Sequence, residues 1–286
     1  VAGESTDNVR TGFSILAIGG NLGFAIGPAL GGILAQVYNY STVFLLSAAT
    51  AVVVTLITLF LIEGGPVVNH GSLSRPVKRL LNWREDKNLI VFLVLTLASF
   101  LIVGYETTPL SLYVAGFLNF SNEQIGFLFA TNGIVIVILQ LPLTRLIEKK
   151  IRTLVMPMIA SSLAAAVAFF VASVSTTFLQ MEIVTFIVTL GEIFQTVPAQ
   201  TVLSLFSKSG NRGTYQGYYA AVTNSGRSLA SFFGPLSFSV FFFMPSLAWI
   251  LVGAISLVVG FAFFLLSPGL QKDYENQSRS DEQLVD

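Results

Sequence analysis

Four ionisable side chains interrupt stretches that otherwise hold almost nothing but apolar residues: Glu106, Glu182, Glu192 and Arg227. Placing such a group at membrane depth costs roughly 2.5–3.5 kcal/mol on insertion scales, which makes each one a candidate site. The chemistry open to them is narrow. A carboxyl taken out of water holds its proton more tightly than one on a surface, which suits it to bind and release protons. A guanidinium stays charged and pairs with an anion, either a carboxylate of the same chain or a ligand. Glu106 and Glu192 are therefore the candidate proton-binding carboxylates. Arg227 has two roles open to it: charge partner of Glu192, in a pair that is functional or purely structural, or ligand for an anionic substrate. Glu182 stands one or two turns inside its span, where it can also do no more than complement the positive helix N-terminus.

Spacing places these groups on helices. Glu182, Thr185, Thr189, Glu192 and Thr196 recur at intervals of three, four, three and four residues, one polar stripe on an otherwise apolar helix. Thr96, Ser99, Glu106 and Tyr113 form a weaker stripe, with Pro109 just beyond Glu106 as an expected kink. Stripes of this kind are costly against lipid and comfortable against a watery cavity. Thr189, Thr196 and Tyr113 accordingly join the three glutamates and Arg227 as candidate pathway residues.

The rest of the chain is built to hold such helices in a bilayer. Of its 286 residues 53% are hydrophobic and only 10% charged, with a mean hydropathy of +0.77. Soluble domains carry roughly 25% charged residues, so this chain cannot cover a water-facing globule. Eight apolar spans are expected over 11–36, 41–63, 88–116, 122–146, 152–173, 177–206, 213–242 and 246–267, each long enough for a bilayer core of roughly 30 Å. Fourteen of the 15 Lys and Arg fall on one side of this layout, which by the positive-inside rule is cytoplasmic and includes both termini. A cytoplasmic loop over 64–87 separates residues 1–63 from a six-helix unit over 88–267. Within that loop Leu80, Leu81 and Trp83 beside Lys78 and Arg79 fit either a short surface helix or a solvated loop. A polar tail over 268–286 is expected to be disordered. Ser121-x-x-Gln124 reads as a capping box opening the fourth span.

Several classes fall away. The net charge is zero and no dense basic block occurs, so nucleic acid is not an expected partner. Without Cys, and with His70 the single histidine, no metal site or thiol chemistry is expected. No phosphate-binding G-x-x-x-x-G-K-[ST] occurs. No cofactor is expected, and the chain does not read as an enzyme.

The first span carries Gly19, Gly23, Gly27 and Gly31 at four-residue intervals, with Pro28 and Gly32 alongside. Such spacing stacks glycines on one face, where another helix can approach almost backbone to backbone. Gly226, Gly234 and Pro235 repeat Gly19, Gly27 and Pro28 at an offset of 207 residues. A repeat at that distance predicts two related bundles. Spans one and two then end a first bundle, whose first four helices are expected upstream of Val1.

These residues resemble the major facilitator superfamily. The run from Arg10 through Gly19, Gly23, Gly27 and Pro28 to Gly31 and Gly32 is similar to the signature on the fifth helix of its exporters. Thr144, Leu146, Glu148, Lys149 and Arg152 resemble the second-half copy of the family's cytoplasmic loop motif, with Thr144, Glu148 and Ile151 departing from its Gly, Asp and Gly. Asn132-Gly133, Gln140-Leu141-Pro142-Leu143 and Arg212-Gly213-x3-Gly217-x-Tyr219 are similar to stretches of the drug:proton antiporter branch. The resemblance implies an all-α membrane bundle of this type, with the last two helices of the N-terminal half followed by the whole C-terminal half. It places the third and sixth spans, as seventh and tenth helices, along a central cavity, and the first span against the fourth. It also implies a secondary transporter of the cell membrane working by alternating access, with protons and a small-molecule substrate as partners. Proton-coupled efflux of drug-like or other amphiphilic compounds is the leading version. Uptake of an organic anion or sugar is the alternative, and a receptor or assembly protein on a carrier scaffold the reading from another class.

Overall fold

The computed structural model describes residues 6–61, 87–150, 155–206 and 212–283. These residues form helices joined by short turns, with no strand among them. In chain order they are α1 (Thr6–Val37), α2 (Tyr40–Leu61), α3 (Lys87–Gly104), α4 (Thr108–Gly116), α5 (Asn122–Lys150), α6 (Met156–Ala172), α7 (Phe178–Leu205), α8 (Arg212–Val240) and α9 (Ser246–Gln283). The eight expected spans correspond to these helices, with α3 and α4 sharing the third.

That shared span is broken rather than gently kinked. Pro109 lacks an N–H and sits in the first turn of α4, where a proline costs least. The residues before it tighten into a turn: the N–H groups of Tyr105, Glu106 and Thr107 bond three residues back, to Ile102, Val103 and Gly104. Leu110 N–H reaches five residues back, to the Tyr105 carbonyl. Glu106 therefore sits in a helix break.

Among the described residues five stretches are long and apolar enough to cross a membrane: Tyr40–Phe60, Lys87–Gly116, Asn122–Ile147, Phe178–Leu203 and Ser246–Asp273. The apolar parts of α1 and α6, Leu22–Val37 and Met156–Ala172, are shorter. The α8 helix does not qualify, because Gln216, Thr223, Asn224, Ser225, Arg227, Ser228 and Ser231 dilute its apolar content. Apolar on every face, α2 leaves Phe44 and Phe60 73% and 80% exposed, as expected of a helix whose partner is lipid.

The core lies where α3, α6, α7, α8 and α9 meet. Phe92, Phe100, Phe169, Trp249 and Phe263 are fully buried there. Two reciprocal caps open helices on one side of the bundle. Gln124 N–H donates to Ser121 Oγ at 3.2 Å while Ser121 N–H donates to Gln124 Oε1 at 2.9 Å, as the sequence predicts for α5. Thr177 and Gln180 do the same for α7.

Three expectations need correction. The polar stretch assigned to a disordered tail continues α9 as helix through Gln283. It is anchored by the fully buried Leu270 and by Asn88 Nδ2 donating to Asp273 Oδ2 at 2.8 Å. The stretch read as a cytoplasmic loop motif is helical from Thr144 through Lys150, because α5 runs on past residue 146; Arg152 lies outside the described residues, as does most of the expected loop over 64–87.

The third correction concerns the glycines. Helix α1 does pack against α5, the fourth span. The close approach is made by Gly32 against Asn122 and Gly126, Gly126 against Pro28 and Ala29, and Gly133 against Ala25. Gly19, Gly23, Gly27 and Gly31 face open space instead. On α8 the corresponding glycines are filled: Gly226 meets the backbone of Leu97 and Leu101, and Gly234 meets the ring of Pro109.

Candidate functional site

Half-way along the bundle a cavity of about 440 Å³ opens between α1, the α3–α4 break, α5, α7 and α8. Its walls are Gly20 and Phe24 of α1, Val103, Gly104, Glu106 and Thr107 around the break, Asn132, Ile136 and Gln140 of α5, Glu192, Ile193, Thr196, Val197 and Gln200 of α7, and Arg227. The polar stripe on α7 faces it through Glu192 and Thr196. That is the arrangement helical periodicity predicts for a polar face that avoids lipid.

A single hydrogen-bonded network gathers the charged groups. Arg227 Nη2 donates to Glu192 Oε1 at 2.6 Å. Asn132 Nδ2 faces three acceptors: Glu106 Oε1 at 2.8 Å, Thr189 Oγ1 at 3.1 Å and Glu192 Oε2 at 3.3 Å. The Thr189 hydroxyl lies 2.7 Å from the Thr185 carbonyl and 3.2 Å from Glu106 Oε1. The Arg227 guanidinium also stands 5.5 Å from the centre of the Phe100 ring, within cation–π reach. Glu106 and Asn132 are almost wholly buried, at 5% and 3% exposed, and Thr189 is fully buried. Glu192 and Arg227 are 14% and 42% exposed in their side chains, toward the cavity.

Charge arithmetic defines what this network can do. Two carboxylates and one guanidinium carry a net single negative charge when both carboxyls are ionised. Glu192 has a cation beside it, whereas Glu106 has only the neutral donors Asn132 and Thr189. A buried charge without a counter-ion is expensive. One proton, or one cationic group reaching in from the cavity, brings the site to neutrality.

The other candidates separate from this centre. Thr196 lines the cavity and its carbonyl accepts from the Tyr219 hydroxyl at 3.0 Å. Tyr113 does not reach the cavity. It is buried in an aromatic cluster, stacked on Phe117 and Phe238 with its centroid 5.2 Å from Trp249. The break after Gly104 rotates α4 relative to α3, so the stripe drawn through Tyr113 does not survive as one face. Glu182 stands further along α7, outside the cavity lining. Asn132, which the sequence reading noted only within a family-like stretch, joins the two carboxylates. Its one visible signal is a polar amide in the middle of an apolar span.

Known proteins resemble this chain in sequence and in shape. A family model described as Major Facilitator Superfamily matches residues 5–235. The MFS-type transporter YttB of Bacillus subtilis (strain 168) is 23% identical over 228 residues, which cover 79% of this chain and 56% of YttB. Multidrug resistance protein 2 of the same organism is 26% identical over 224 residues, covering 74% of this chain and 53% of that protein. The chain thus spans just over half the length of these relatives. Multidrug resistance protein MdtG of Proteus mirabilis (strain HI4320) is 31% identical over a shorter stretch of 102 residues, 35% of this chain and 25% of that protein. Among solved structures, a POT family transporter in complex with 5-aminolevulinic acid superposes with a TM-score of 0.66 at 12% identity, over 93% of this chain and 71% of that one.

Proposed function

This chain belongs to the Major Facilitator Superfamily, a family of membrane transporters and not of enzymes, and on that premise we propose that it serves proton-coupled efflux of drug-like or other small amphiphilic compounds by alternating access. The observation that carries the reading is the network of Glu106, Asn132, Thr189, Glu192 and Arg227 at the wall of the cavity. Its single excess negative charge can be met by a proton or by a cationic substrate, and competition between the two is what exchange requires. Phe24, Val103, Ile136, Ile193 and Val197 supply apolar wall around it, suited to an amphiphilic body. Two relatives bear the name multidrug resistance protein, which supports the drug-like class.

The proposal includes a division of the chain into the end of a first bundle over 1–63, a connecting loop over 64–87, a second bundle over 88–267 and a cytoplasmic tail over 268–286. Both ends of the chain are placed on the cytoplasmic side of the cell membrane. The open glycine face of α1, set against the filled face of α8, supports further helices of the same protein seated there. Single cysteines introduced at the exposed Asn119 and Thr176 are expected to label from outside intact cells, and one at Lys149 only after permeabilisation; the reverse pattern overturns the orientation.

Proton competition is tested with ethidium, a lipophilic cation. It is expected to bind the chain in lipid vesicles at alkaline pH and to be released on acidification, whereas Glu106→Gln, neutral like the protonated form, should bind it weakly at either pH. Binding that ignores pH in the unmodified chain overturns the proton-coupled reading. A second reading, uptake of an organic anion or sugar, draws on Arg227, whose half-open guanidinium donates to Glu192 through Nη2. Binding of an anionic amphiphile such as dodecanoate, lost in Arg227→Gln, would favour it over efflux of cations.

A further inference from the structure

The two carboxyl groups of the network meet through one side chain, and that side chain has too few protons for its neighbours. An amide NH2 carries two hydrogens, yet Asn132 Nδ2 lies within hydrogen-bond distance of three oxygens, the shortest contact being to Glu106 Oε1 and the longest to Glu192 Oε2. Thr189 makes up little of the deficit, because its hydroxyl oxygen lies closer to the Thr185 carbonyl, at 2.7 Å, than to Glu106 Oε1, at 3.2 Å, and it has one hydrogen to give. The charge on Glu106 thus depends on Asn132, whereas Glu192 holds Arg227 at 2.6 Å. The groups facing Glu106 can be named element by element. Glu192 faces it from α7 and Arg227 from α8, α5 supplies Asn132, and α1 brings Gly20 and Phe24 to the shared cavity without a charge.

We propose that Asn132 is the positioning residue that lets Glu106 take the exchangeable proton, and that its amide makes a half-turn each time the proton binds or leaves. The inference rests on the proton-coupled reading above. With Glu106 ionised, the NH2 end must face it, since the amide oxygen would meet a carboxylate oxygen. A proton arriving from the cavity forms an O–H bond on Glu106 Oε1, and two donors then face each other. Rotation by half a turn presents Asn132 Oδ1, which accepts from the new O–H. The same rotation withdraws the NH2 from Thr189 and from Glu192 Oε2. Glu192 is left with Arg227 alone, at the cavity wall where a substrate would sit. Proton binding at a buried carboxyl is thereby felt at an exposed ion pair without movement of a helix.

Infrared difference spectroscopy of the 286-residue chain in lipid vesicles tests this with the proton itself as probe. The acid-minus-alkaline spectrum is expected to contain one protonated-carboxyl C=O band, lost in Glu106→Gln and retained in Glu192→Gln. A side-chain amide C=O band should titrate with it, shift when asparagine is isotopically labelled in the unmodified chain, and disappear in Asn132→Leu. The labelling arm requires no substitution, so a misfolded variant cannot decide the outcome. A Glu106 band without a titrating asparagine band overturns the inference and leaves the proton-coupled reading standing. So does an asparagine band that survives in folded Asn132→Leu. A carboxyl band that follows Glu192 instead of Glu106 overturns the assignment of the proton. Absence of any titrating carboxyl band overturns both readings.

Discussion

Helices α1 and α8 carry the same glycine and proline spacing and use it differently. On α8 the motif is packed: Gly226 lies against the α3 backbone, Gly234 against Pro109, and Gly104 of α3 returns the contact against Ala230 and Arg227. On α1 the equivalent Gly19 and Gly27 meet nothing within 4 Å, and the helix instead presents Ala25, Pro28, Ala29 and Gly32 to α5. A motif of small residues states that a backbone can come close. It does not state which backbone, or whether one does.

The contrast can be broken by substitution, and the largest effect belongs to α8. Gly226→Leu drives a side chain into the Leu97 carbonyl and the Leu101 N–H, groups that cannot swing aside. Overpacking usually costs ~1–3 kcal/mol, and contact with backbone puts this case at or above ~3 kcal/mol. Unfolding of the purified chain in denaturant reads the loss; a change under ~1 kcal/mol would show that the α3–α8 contact is not tight.

Next in size is the ionic tie between α8 and α7, for which α1 offers the cavity no charged counterpart. Glu192→Gln leaves Arg227 unpaired, but the side chain is 42% exposed. The expected loss of ~1–3 kcal/mol lies between that of a buried pair and that of an exposed one. Glu192→Gln together with Arg227→Gln should recover most of it in the same measurement. Failure to recover would mean that Glu192 stabilises the fold through Asn132 rather than through Arg227.

On α5, Gly133→Ala places one methyl group against Ala25 of α1 and is expected to cost ~1–2 kcal/mol by the same argument. The loss should appear in separation of α1 from α5, read by cross-linking of cysteines placed at Phe24 and Phe129, whose rings meet across the two helices. The smallest effect is predicted for Gly27→Leu. Nothing stands in its way, and leucine is the better helix former by under ~1 kcal/mol, so stability should be unchanged or slightly raised. Where further helices seat on this face, the same substitution should cost as much as Gly226→Leu. That difference would sharpen the comparison into a measurement of what the open face of α1 can receive.

Legibility followed the range of the interaction. The helix break at Glu106 was visible as Pro109, because proline acts on its own turn. The Ser121–Gln124 cap was visible because it closes within four residues. The pairing of Glu192 with Arg227 was visible because two opposite charges in apolar spans have few partners to choose from. Tyr113 was misplaced because its stripe was extrapolated across a break, after which helical phase no longer carries over. Asn132 was undervalued because a neutral amide announces no partner until its neighbours are known. The length of α9 escaped composition because Leu270 and Asp273 find their contacts on α3 and elsewhere in the bundle, beyond the reach of local propensity.

By itself the sequence determined that the chain is an all-α bundle of apolar spans, which residues are too polar for lipid, and that those of α7 share one face. Those properties come from composition and from a period of about 3.6 residues, both written along one strand of chain. Tertiary structure alone decided that Glu106, Asn132 and Thr189 join the Glu192–Arg227 pair, that Tyr113 joins Trp249 instead, and that one glycine face is filled while its repeat stays open. The physical reason is that periodicity fixes the direction in which a side chain leaves its own helix, whereas a contact needs the rotation and depth of a second helix as well.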